Sequence, residues 1–167
     1  MSIQNILALD TKTVRQVMTP RTVVFSMPSH YSVSKAWDGQ HLWPHSRVPV
    51  YDNDDLEDIV GIVYRREVLQ ALAQDLHDQK LSELMKPVHF VLETMTLDRV
   101  LVTFLESRQH LAVVLDEYGG VAGVITLEDI LEEILGNEIM DETDQVADMR
   151  DLARRKRQRL QNAVVKG

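Results

Sequence analysis

An internal duplication limits the folds open to this chain more than any other feature of its sequence. Three short blocks each occur twice in the same order, and they are VMTP at 17–20 with LMKP at 84–87, RVPVYD at 47–52 with HLAVVLD at 110–116, and GIVYRREVL at 61–69 with GVITLEDIL at 123–131. The matched prolines lie 67 positions apart and the matched glycines 62 apart, a drift that surface loops absorb at little cost. The ordered set indicates two copies of one supersecondary unit.

Local patterns predict the same order of elements in each copy, namely strand, helix, strand, strand and helix. Apolar, β-branched runs bounded by turn residues predict buried strands at 48–51, 59–64, 111–115 and 121–125. Helical apolar spacing predicts helices at 32–42, 67–76, 97–106 and 127–135. Thr96 and Thr126 are the expected N-caps of the last two, and Asp129 is expected to complete a capping box with Thr126.

Neither copy is long enough to bury a sufficient core alone. We therefore expect an α+β fold in which the two halves pack through their sheets around a pseudo-twofold axis. Polar backbone from strand ends converges at such an axis, and the cleft there is the natural ligand site. The sequence divides into an N-terminal linker or helix (1–14), a first repeat (15–78), a second repeat (79–140) and an acidic-to-basic C-terminal tail (141–167).

The bulk properties of the 167 residues exclude several classes of protein. A net charge of -8 argues against a general nucleic-acid binder, which usually carries a basic face. There is no cysteine, which excludes disulfide frameworks and thiolate zinc sites. No apolar run approaches the roughly 18 residues of a membrane span, and the N-terminus lacks the features of a signal peptide. We expect a soluble chain.

The block GVITLEDIL at 123–131 resembles the closing motif of a CBS domain. In that family a hydroxyl residue, and an Asp three positions later, bind the ribose of an adenine nucleotide. The resemblance implies that the chain is a tandem pair of CBS repeats, a Bateman module. A closer resemblance to the CorC/CNNM family, often described as hemolysin-like, is carried by MTPR at 18–21, SRVPVY at 46–51, SRQHLA at 107–112, DEYGG at 116–120 and TLEDILEE at 126–133.

The CorC/CNNM resemblance covers about residues 3–148 and implies a regulatory function. Those proteins couple a membrane domain to a cytoplasmic CBS pair and are associated with magnesium and cobalt handling. The expected ligand is ATP or AMP, either alone or with Mg²⁺. The expected partners are a second copy of the chain, in a head-to-head homodimer, and a transmembrane domain of the same polypeptide that is absent here. The expected location is the cytoplasmic face of the cell membrane, and no nucleic acid is expected to bind.

Carried over residue by residue, the resemblance implies one nucleotide site built from both repeats. Its residues are expected to be Ser46, Arg47, Val48, Pro49, Thr126 and Asp129, with Ser26 and Met27 lining the adenine pocket. The chemistry is reasonable, because an Asp carboxylate can accept from both ribose hydroxyls and an Arg fork suits phosphate.

The mirror-image site is expected to be impaired. Tyr64 and Glu67 stand there in place of Thr126 and Asp129. His45 also departs from the pattern, because eukaryotic relatives carry Tyr before the Ser/Thr-Arg pair.

Simpler interpretations of the same residues stay open. Thr126 and Asp129 can serve only to cap a helix, and Arg47 can pair with an acid near Asp52. His41 and His45 are four residues apart, but Pro44 disfavours a regular helix that would bring them together as metal ligands.

The C-terminal part of the sequence also has two interpretations. Residues 128–148 hold nine acids and no base. This composition is typical of a solvated helix, and the alternative is a Mg²⁺ site formed by Glu132, Glu133, Asp141 or neighbouring acids. The basic run 154–159 is either a frayed helix end or a contact with anionic lipid.

Two functions from different classes fit these patterns. The first is a ligand-sensing module that binds adenine nucleotide and transmits its effect to the missing membrane domain through residues 3–8. The second is a dimerisation scaffold in which the nucleotide pocket is vestigial. An enzyme is not expected, because the sequence contains no recognisable Ser-His-Asp grouping, nucleophile elbow or Walker loop.

Overall fold

The computed structural model describes residues 8–38, 43 and 45–166, with the side chains of 137–148 and 166 left undescribed. The strands in this part are β1 (Thr19–Pro20), β2 (Met27–Pro28), β3 (Arg47–Tyr51), β4 (Ile59–Tyr64), β5 (His89–Leu92), β6 (Leu111–Leu115) and β7 (Val121–Thr126). The α-helices are α1 (Val14–Val17), α2 (Val33–Ala36), α3 (Arg65–Ala73), α4 (Leu81–Leu84), α5 (Leu97–Ser107) and α6 (Leu127–Lys166). Two short 3-10 helices cover Ala8–Asp10 and Arg21–Val23.

The strands form two sheets of closely similar design. One sheet has the order β2-β3-β4 and the other the order β1-β7-β6-β5. In each sheet an antiparallel hairpin, β3–β4 or β6–β7, receives one parallel strand, β2 or β5. The hairpin registers correspond, since Arg47 lies opposite Tyr64 and Leu111 opposite Thr126. The α+β fold with two repeated units predicted from the sequence is confirmed.

The opening segment of each half packs against the other half. β1 belongs to the first half in sequence but pairs with β7, with Thr19 opposite Val124. In the second half Lys86 makes the equivalent bridge to Ile62 on β4. Thr19 and Lys86 are 67 residues apart, and Ile62 and Val124 are 62 apart, which are the offsets of the repeated blocks. The two crossings are therefore related by the pseudo-twofold axis.

Each crossing requires a glycine on the strand that receives it. A Cβ added at Gly123 would lie only 2.1 Å from the carbonyl oxygen of Thr19. The equivalent Cβ at Gly61 would lie 2.9 Å from the carbonyl oxygen of Lys86. Backbone approaches this close exclude any side chain, so the glycines matched in the sequence are the positions where the two halves interlock.

Three apolar clusters result from the exchange of opening segments between the two halves. The first half encloses Val48, Val63 and Val68 together with Leu81 from the opening segment of the second half. The second half is built around α5, β6 and α6, and it likewise takes in residues from the start of the chain. Between the sheets lies a third cluster, which contains Ile62, Leu111, Val113, Val121 and Val124. The sheets therefore pack face to face through apolar side chains, as expected.

Residues before α1 are part of this packing. Leu9 and Val14 are 2% and 0% exposed and lie in the core of the second half. Lys12 forms an ion pair with Glu133 on α6. The proposed linker 1–14 is thus anchored to the second repeat from residue 9 onward. The predicted helix over 3–8 lies outside the described residues except for Ala8.

Several helix boundaries differ from the sequence prediction. α3 begins at Arg65 rather than 67 and ends at Ala73, because the chain turns at Asp75 with a φ of 59°. α2 covers Val33–Ala36, and residues 39–42 of its predicted extent lie outside the described residues. α6 continues to Lys166 instead of ending at 135.

The start of α5 also differs in detail. Thr96 occupies the N-cap position of α5, but its side chain makes no cap hydrogen bond to the backbone. Its hydroxyl instead bonds the carboxylate of Asp98, and this hydrogen bond lowers the pKa of Asp98.

Candidate functional site

A cavity of about 420 Å³ lies where the two halves meet. Its walls come from the segment after β1, the start of β3, the start of α3, the hairpin β6–β7 and the first turns of α6. The lining residues are Thr19, Val23, Val24, Phe25, His45, Ser46, Arg47, Pro49, Arg65, Leu111, Val124, Thr126, Glu128, Asp129 and Glu132. The site therefore exists only when both repeats are assembled, and its size suits a small-molecule ligand.

Arg47 crosses from the first half to the second. Its Nη1 lies 3.1 Å from Oε1 of Glu128, and its Nη2 lies 2.7 Å from Nδ1 of His110. The side chain is only 18% exposed, whereas that of Glu128 is 53% exposed. The remaining guanidinium nitrogen, Nε, is buried without a hydrogen-bond partner among the described residues. A cation with an unsatisfied buried donor at a cavity wall is suited to bind an anion.

Thr126 and Asp129 form a reciprocal capping box at the start of α6. The backbone N–H of Thr126 donates to Oδ2 of Asp129 at 2.9 Å, and the backbone N–H of Asp129 donates to the Thr126 hydroxyl at 3.1 Å. This confirms the capping box predicted from the sequence, with Asp in the usual place of Glu or Gln. Only Oδ2 is used in these contacts, so Oδ1 keeps its capacity to accept hydrogen bonds from a ligand.

The rim of the cavity in the first half is held by backbone contacts. The N–H of Arg65 at the start of α3 donates to the carbonyl oxygen of Ser46 at 2.9 Å. The Arg65 guanidinium donates to the carbonyl oxygen of Trp43 at 2.9 Å. Phe25 lies edge-on to Trp43, with the ring centroids 6.3 Å apart. These contacts place an aromatic ring and a second cation in the part of the cavity wall that the first repeat contributes.

Comparison with known proteins connects this architecture to a family. A model of the CBS domain family matches residues 14–74 and 81–136. A solved CBS domain of a bacterial CNNM/CorC family Mg²⁺ transporter in complex with ATP superposes with a TM-score of 0.74 at 34% identity, over 80% of this chain and 94% of that chain. The chain is a pair of CBS domains of the CorC/CNNM family.

Full-length relatives are longer than this CBS pair. It is 39% identical over 158 residues to a UPF0053 protein of Synechocystis sp., covering 95% of this chain and 45% of that protein. It is 33% identical over 154 residues to the magnesium and cobalt efflux protein CorC of Pasteurella multocida, covering 91% of this chain and 51% of that protein. The CBS pair thus spans about half the length of these relatives.

A more distant solved structure has a different bound nucleotide. It is a CBS-domain pair with bound AMP from Klebsiella pneumoniae, with a TM-score of 0.60 at 26% identity, over 74% of this chain and 98% of that chain.

Within residues 8–38, 43 and 45–166 of the CBS pair, no helix combines the length and apolarity that crossing a membrane requires.

The structure brings five of the eight predicted site residues to one cavity. Ser46, Arg47 and Pro49 line it from the first repeat, and Thr126 and Asp129 line it from the second. The expectation that Arg47 and Asp129 border a common crevice is therefore met by the geometry.

The side chains of the other three predicted residues lie outside this cavity. Val48 and Met27 are 0% and 8% exposed and point into the core of the first half. The reason for Val48 is strand alternation, because its neighbours Arg47 and Pro49 face the cavity. Ser26 lines a smaller cavity of about 40 Å³ on the far side of Val24.

Several lining residues were not identified from the sequence. Phe25 directly precedes the predicted pair Ser26 and Met27 but lies before β2, so strand alternation gives no signal for it. Arg65 carries no ligand signature of its own, since it is the first residue of a helix on an otherwise polar surface. Glu128 and Glu132 belong to the acidic stretch 128–148, whose composition is typical of a solvated helix and does not single them out.

Tyr64 and Glu67 do not form a comparable pair. Glu67 lies 3.9 Å from Nζ of Lys86, and both line a polar groove between α3 and α4. Tyr64 lines a different cavity, with the Arg66 guanidinium 5.0 Å from its ring centroid. The mirror position thus has its acid engaged by a lysine and its hydroxyl residue replaced by a ring.

The structure also bears on the simpler interpretations of Arg47 and on the alternative metal sites. Asp52 accepts a hydrogen bond from the Ser29 hydroxyl, so the acid that pairs with Arg47 is Glu128 and not one near Asp52. The side chains of His41 and Asp141 lie outside the described residues. Among the side chains that are described, no cluster of three or more potential metal ligands occurs.

Proposed function

We propose that this CBS pair is a regulatory module that binds ATP or AMP, on the cytoplasmic side of a CorC/CNNM-type membrane protein linked to divalent-cation transport. The observation that carries the proposal is the single cavity shared by Arg47 of one repeat and Asp129 of the other. Its support from outside the chain is the ATP complex of a related CBS domain and the AMP complex of a more distant pair.

The cavity residues fit the parts of an adenine nucleotide. The free Oδ1 of Asp129 accepts from the ribose hydroxyls with the strength of a charge-assisted bond. Arg47, which lines the cavity, supplies a guanidinium for the phosphates. The N-terminal end of α6 favours an anion through the positive end of the helix dipole. Phe25, Pro49 and Val124 provide apolar contact for the base.

Mg²⁺ enters the proposal only through the nucleotide. Glu128 and Glu132 line the same cavity, and carboxylates are the ligands that hard cations prefer. A magnesium ion bound to the phosphates would offset the repulsion between those phosphates and the two glutamates.

Regulation requires that the nucleotide prefer one state of the assembly over another. We propose that the CBS pair acts as a homodimer attached through residues 1–14 to a transmembrane domain, and that nucleotide shifts the relative angle of its subunits. The residues from Leu9 onward are suited to transmit such a shift, because they are packed into the core of the second repeat.

Thermal unfolding with and without nucleotide tests the binding step. At a hundredfold excess over Kd, a ligand that binds only the folded state adds about 2.7 kcal/mol of stability. For a domain of this size that corresponds to a rise in Tm of about 5–10 °C. Asp129→Ala is expected to abolish the rise produced by ATP or AMP.

A matched control separates binding from capping. Glu83→Ala removes the same kind of N-cap contact at α4, where Oε2 of Glu83 accepts from the N–H of Lys80 at 3.0 Å. Both variants lose about 1 kcal/mol of intrinsic stability, but only Asp129→Ala loses the nucleotide-dependent rise. If neither nucleotide shifts the wild-type Tm, the pocket is vestigial and the CBS pair is a dimerisation scaffold.

A further inference from the structure

The last part of α6 exposes apolar side chains that nothing in the described structure covers. Every side chain from 149 to 165 is exposed. Met149, Leu152, Leu160 and Val164 are 70%, 56%, 69% and 80% exposed. Single exposed apolar residues are ordinary, whereas several on one face of a helix indicate a surface that becomes buried on binding.

Helical geometry places these four residues on one face. At 100° per residue they fall within an arc of about 120°, together with Ala153 and Ala163. The resulting apolar stripe runs for about 24 Å along the helix axis. We call residues 149–165 the basic amphipathic segment.

Basic residues border this stripe on both sides. Between residues 150 and 159 the sequence has six basic residues and one acid, Asp151. On the same helical projection Arg150 and Arg157 follow one edge of the apolar stripe, and Arg155 and Arg159 follow the other. This local charge is opposite in sign to the net charge of -8 of the whole chain.

We propose that the basic amphipathic segment binds the surface of an anionic lipid bilayer and lies parallel to it. An apolar stripe with basic flanks is the pattern of helices that rest in the headgroup region. The stripe residues enter the acyl boundary while the arginines contact lipid phosphates. The charge of Lys156, which falls inside the stripe, reaches the headgroups because its long side chain can snorkel. The segment does not span the bilayer, since no described helix is apolar enough to do so.

Two other partners fit these residues less well. A second copy of the same segment would bring basic flanks against basic flanks and Lys156 against an apolar seam, which disfavours a coiled coil. A nucleic acid would engage the arginines but would leave the four large apolar side chains in water. Only a surface that is both anionic and apolar satisfies the flanks and the stripe together.

Vesicle flotation with the full chain tests the proposal. Vesicles of phosphatidylcholine alone are compared with vesicles that also contain phosphatidylglycerol. We expect flotation only with the anionic vesicles, and less of it at high salt. Replacing Arg155 and Arg159 with Gln is expected to lower the partition coefficient about fivefold per residue.

The apolar stripe is tested by a matched pair of substitutions. The double variant Leu152→Gln/Leu160→Gln is expected to lower the partition coefficient roughly tenfold or more. Val165→Gln makes a similar change at a residue that is 85% exposed but lies off the stripe, and it is expected to leave flotation unchanged. Far-UV circular dichroism in the absence of lipid confirms that both variants keep their helix content.

Three results would overturn the proposal. The first is a wild-type chain that does not float with anionic vesicles at low salt. Equal flotation of the double leucine variant and the wild type would show a purely electrostatic contact. A fall in sedimentation coefficient of the double leucine variant without lipid, with unchanged flotation, would assign the stripe to a second copy of the chain.

Discussion

Replacing Glu128 with Gln is expected to tighten the binding of ATP, although Glu128 lines the proposed nucleotide cavity. The reason is competition for Arg47. In the structure the Glu128 carboxylate accepts a hydrogen bond from Nη1 of Arg47 at 3.1 Å. A phosphate has to displace this carboxylate to bind the same nitrogen. The substitution keeps the shape of the side chain and removes the charge that holds the guanidinium.

The size of the effect follows from the exposure of the pair. Glu128 is 53% exposed and Arg47 is 18% exposed, so the ion pair is heavily screened on one side. Exposed pairs contribute about 0.2–1 kcal/mol, which corresponds to a decrease in the Kd for ATP of about 1.4-fold to fivefold. Because the term is electrostatic, the difference between variant and wild type should shrink as salt is raised.

Isothermal titration calorimetry at low and high salt measures this difference. Glu132→Gln is the matched control, since Glu132 lines the same cavity and makes no hydrogen bond to Arg47 among the described contacts. Competition predicts a larger gain for Glu128→Gln than for Glu132→Gln. Weaker binding by Glu128→Gln would refute this reasoning and would instead make Glu128 a ligand, through Mg²⁺ bound to the phosphates.

Two further predictions concern the fold. Gly123→Ala places a methyl group 2.1 Å from the Thr19 carbonyl oxygen and should cost about 3 kcal/mol or more in urea unfolding. Gly61→Ala, whose Cβ would lie 2.9 Å from the nearest atom, should lower the free energy of unfolding by less. Gly136→Ala, whose Cβ would meet nothing within 4 Å, should stabilise α6 by up to about 1 kcal/mol. Equal losses of stability at all three glycines would contradict the interlocked crossings. Asp98→Asn should lower the Tm at pH 7, because a depressed pKa stabilises the folded state above the ordinary Asp range. That difference should disappear as the pH falls below about 3.9, and a difference that persists at pH 2 would show that the charge is not its cause.

The sequence predicted the repeated unit because duplication leaves a record in the order of blocks. Strands also followed from apolar runs, since a strand buried on both faces is apolar along most of its length. The exchange of opening segments could not be predicted in this way. Thr19 and Lys86 sit in matched blocks, yet each pairs with a strand of the other half, and local sequence carries no signal of which sheet a two-residue strand will join.

The residues of the candidate site could also be predicted only where the sequence carries a local signal. Thr126 and Asp129 carry a local signature, because a capping box fixes both side chains relative to one helix start. Val48 was expected in the cavity because the family resemblance carries over the whole segment 46–49, whereas alternation along the strand turns its side chain into the core. The contact of Arg47 with Glu128 joins residues 81 apart, and long-range pairs of exposed charges have no pattern in a single sequence.

Duplication by itself would give two equivalent nucleotide sites, but the structure leads us to expect only one. The residue equivalent to Thr19, which lines the cavity beside Asp129, is Lys86. Its ammonium group lies 3.9 Å from the carboxylate of Glu67, the counterpart of Asp129. At the mirror position a lysine pairs with the acid that would bind ribose, and a tyrosine ring replaces the threonine. Both polar contacts by which the Asp129 site is expected to hold its ligand are therefore missing there. We therefore expect one nucleotide per chain, so that any asymmetry the ligand creates is transmitted through the half that contains Asp129 and the packed N-terminal residues.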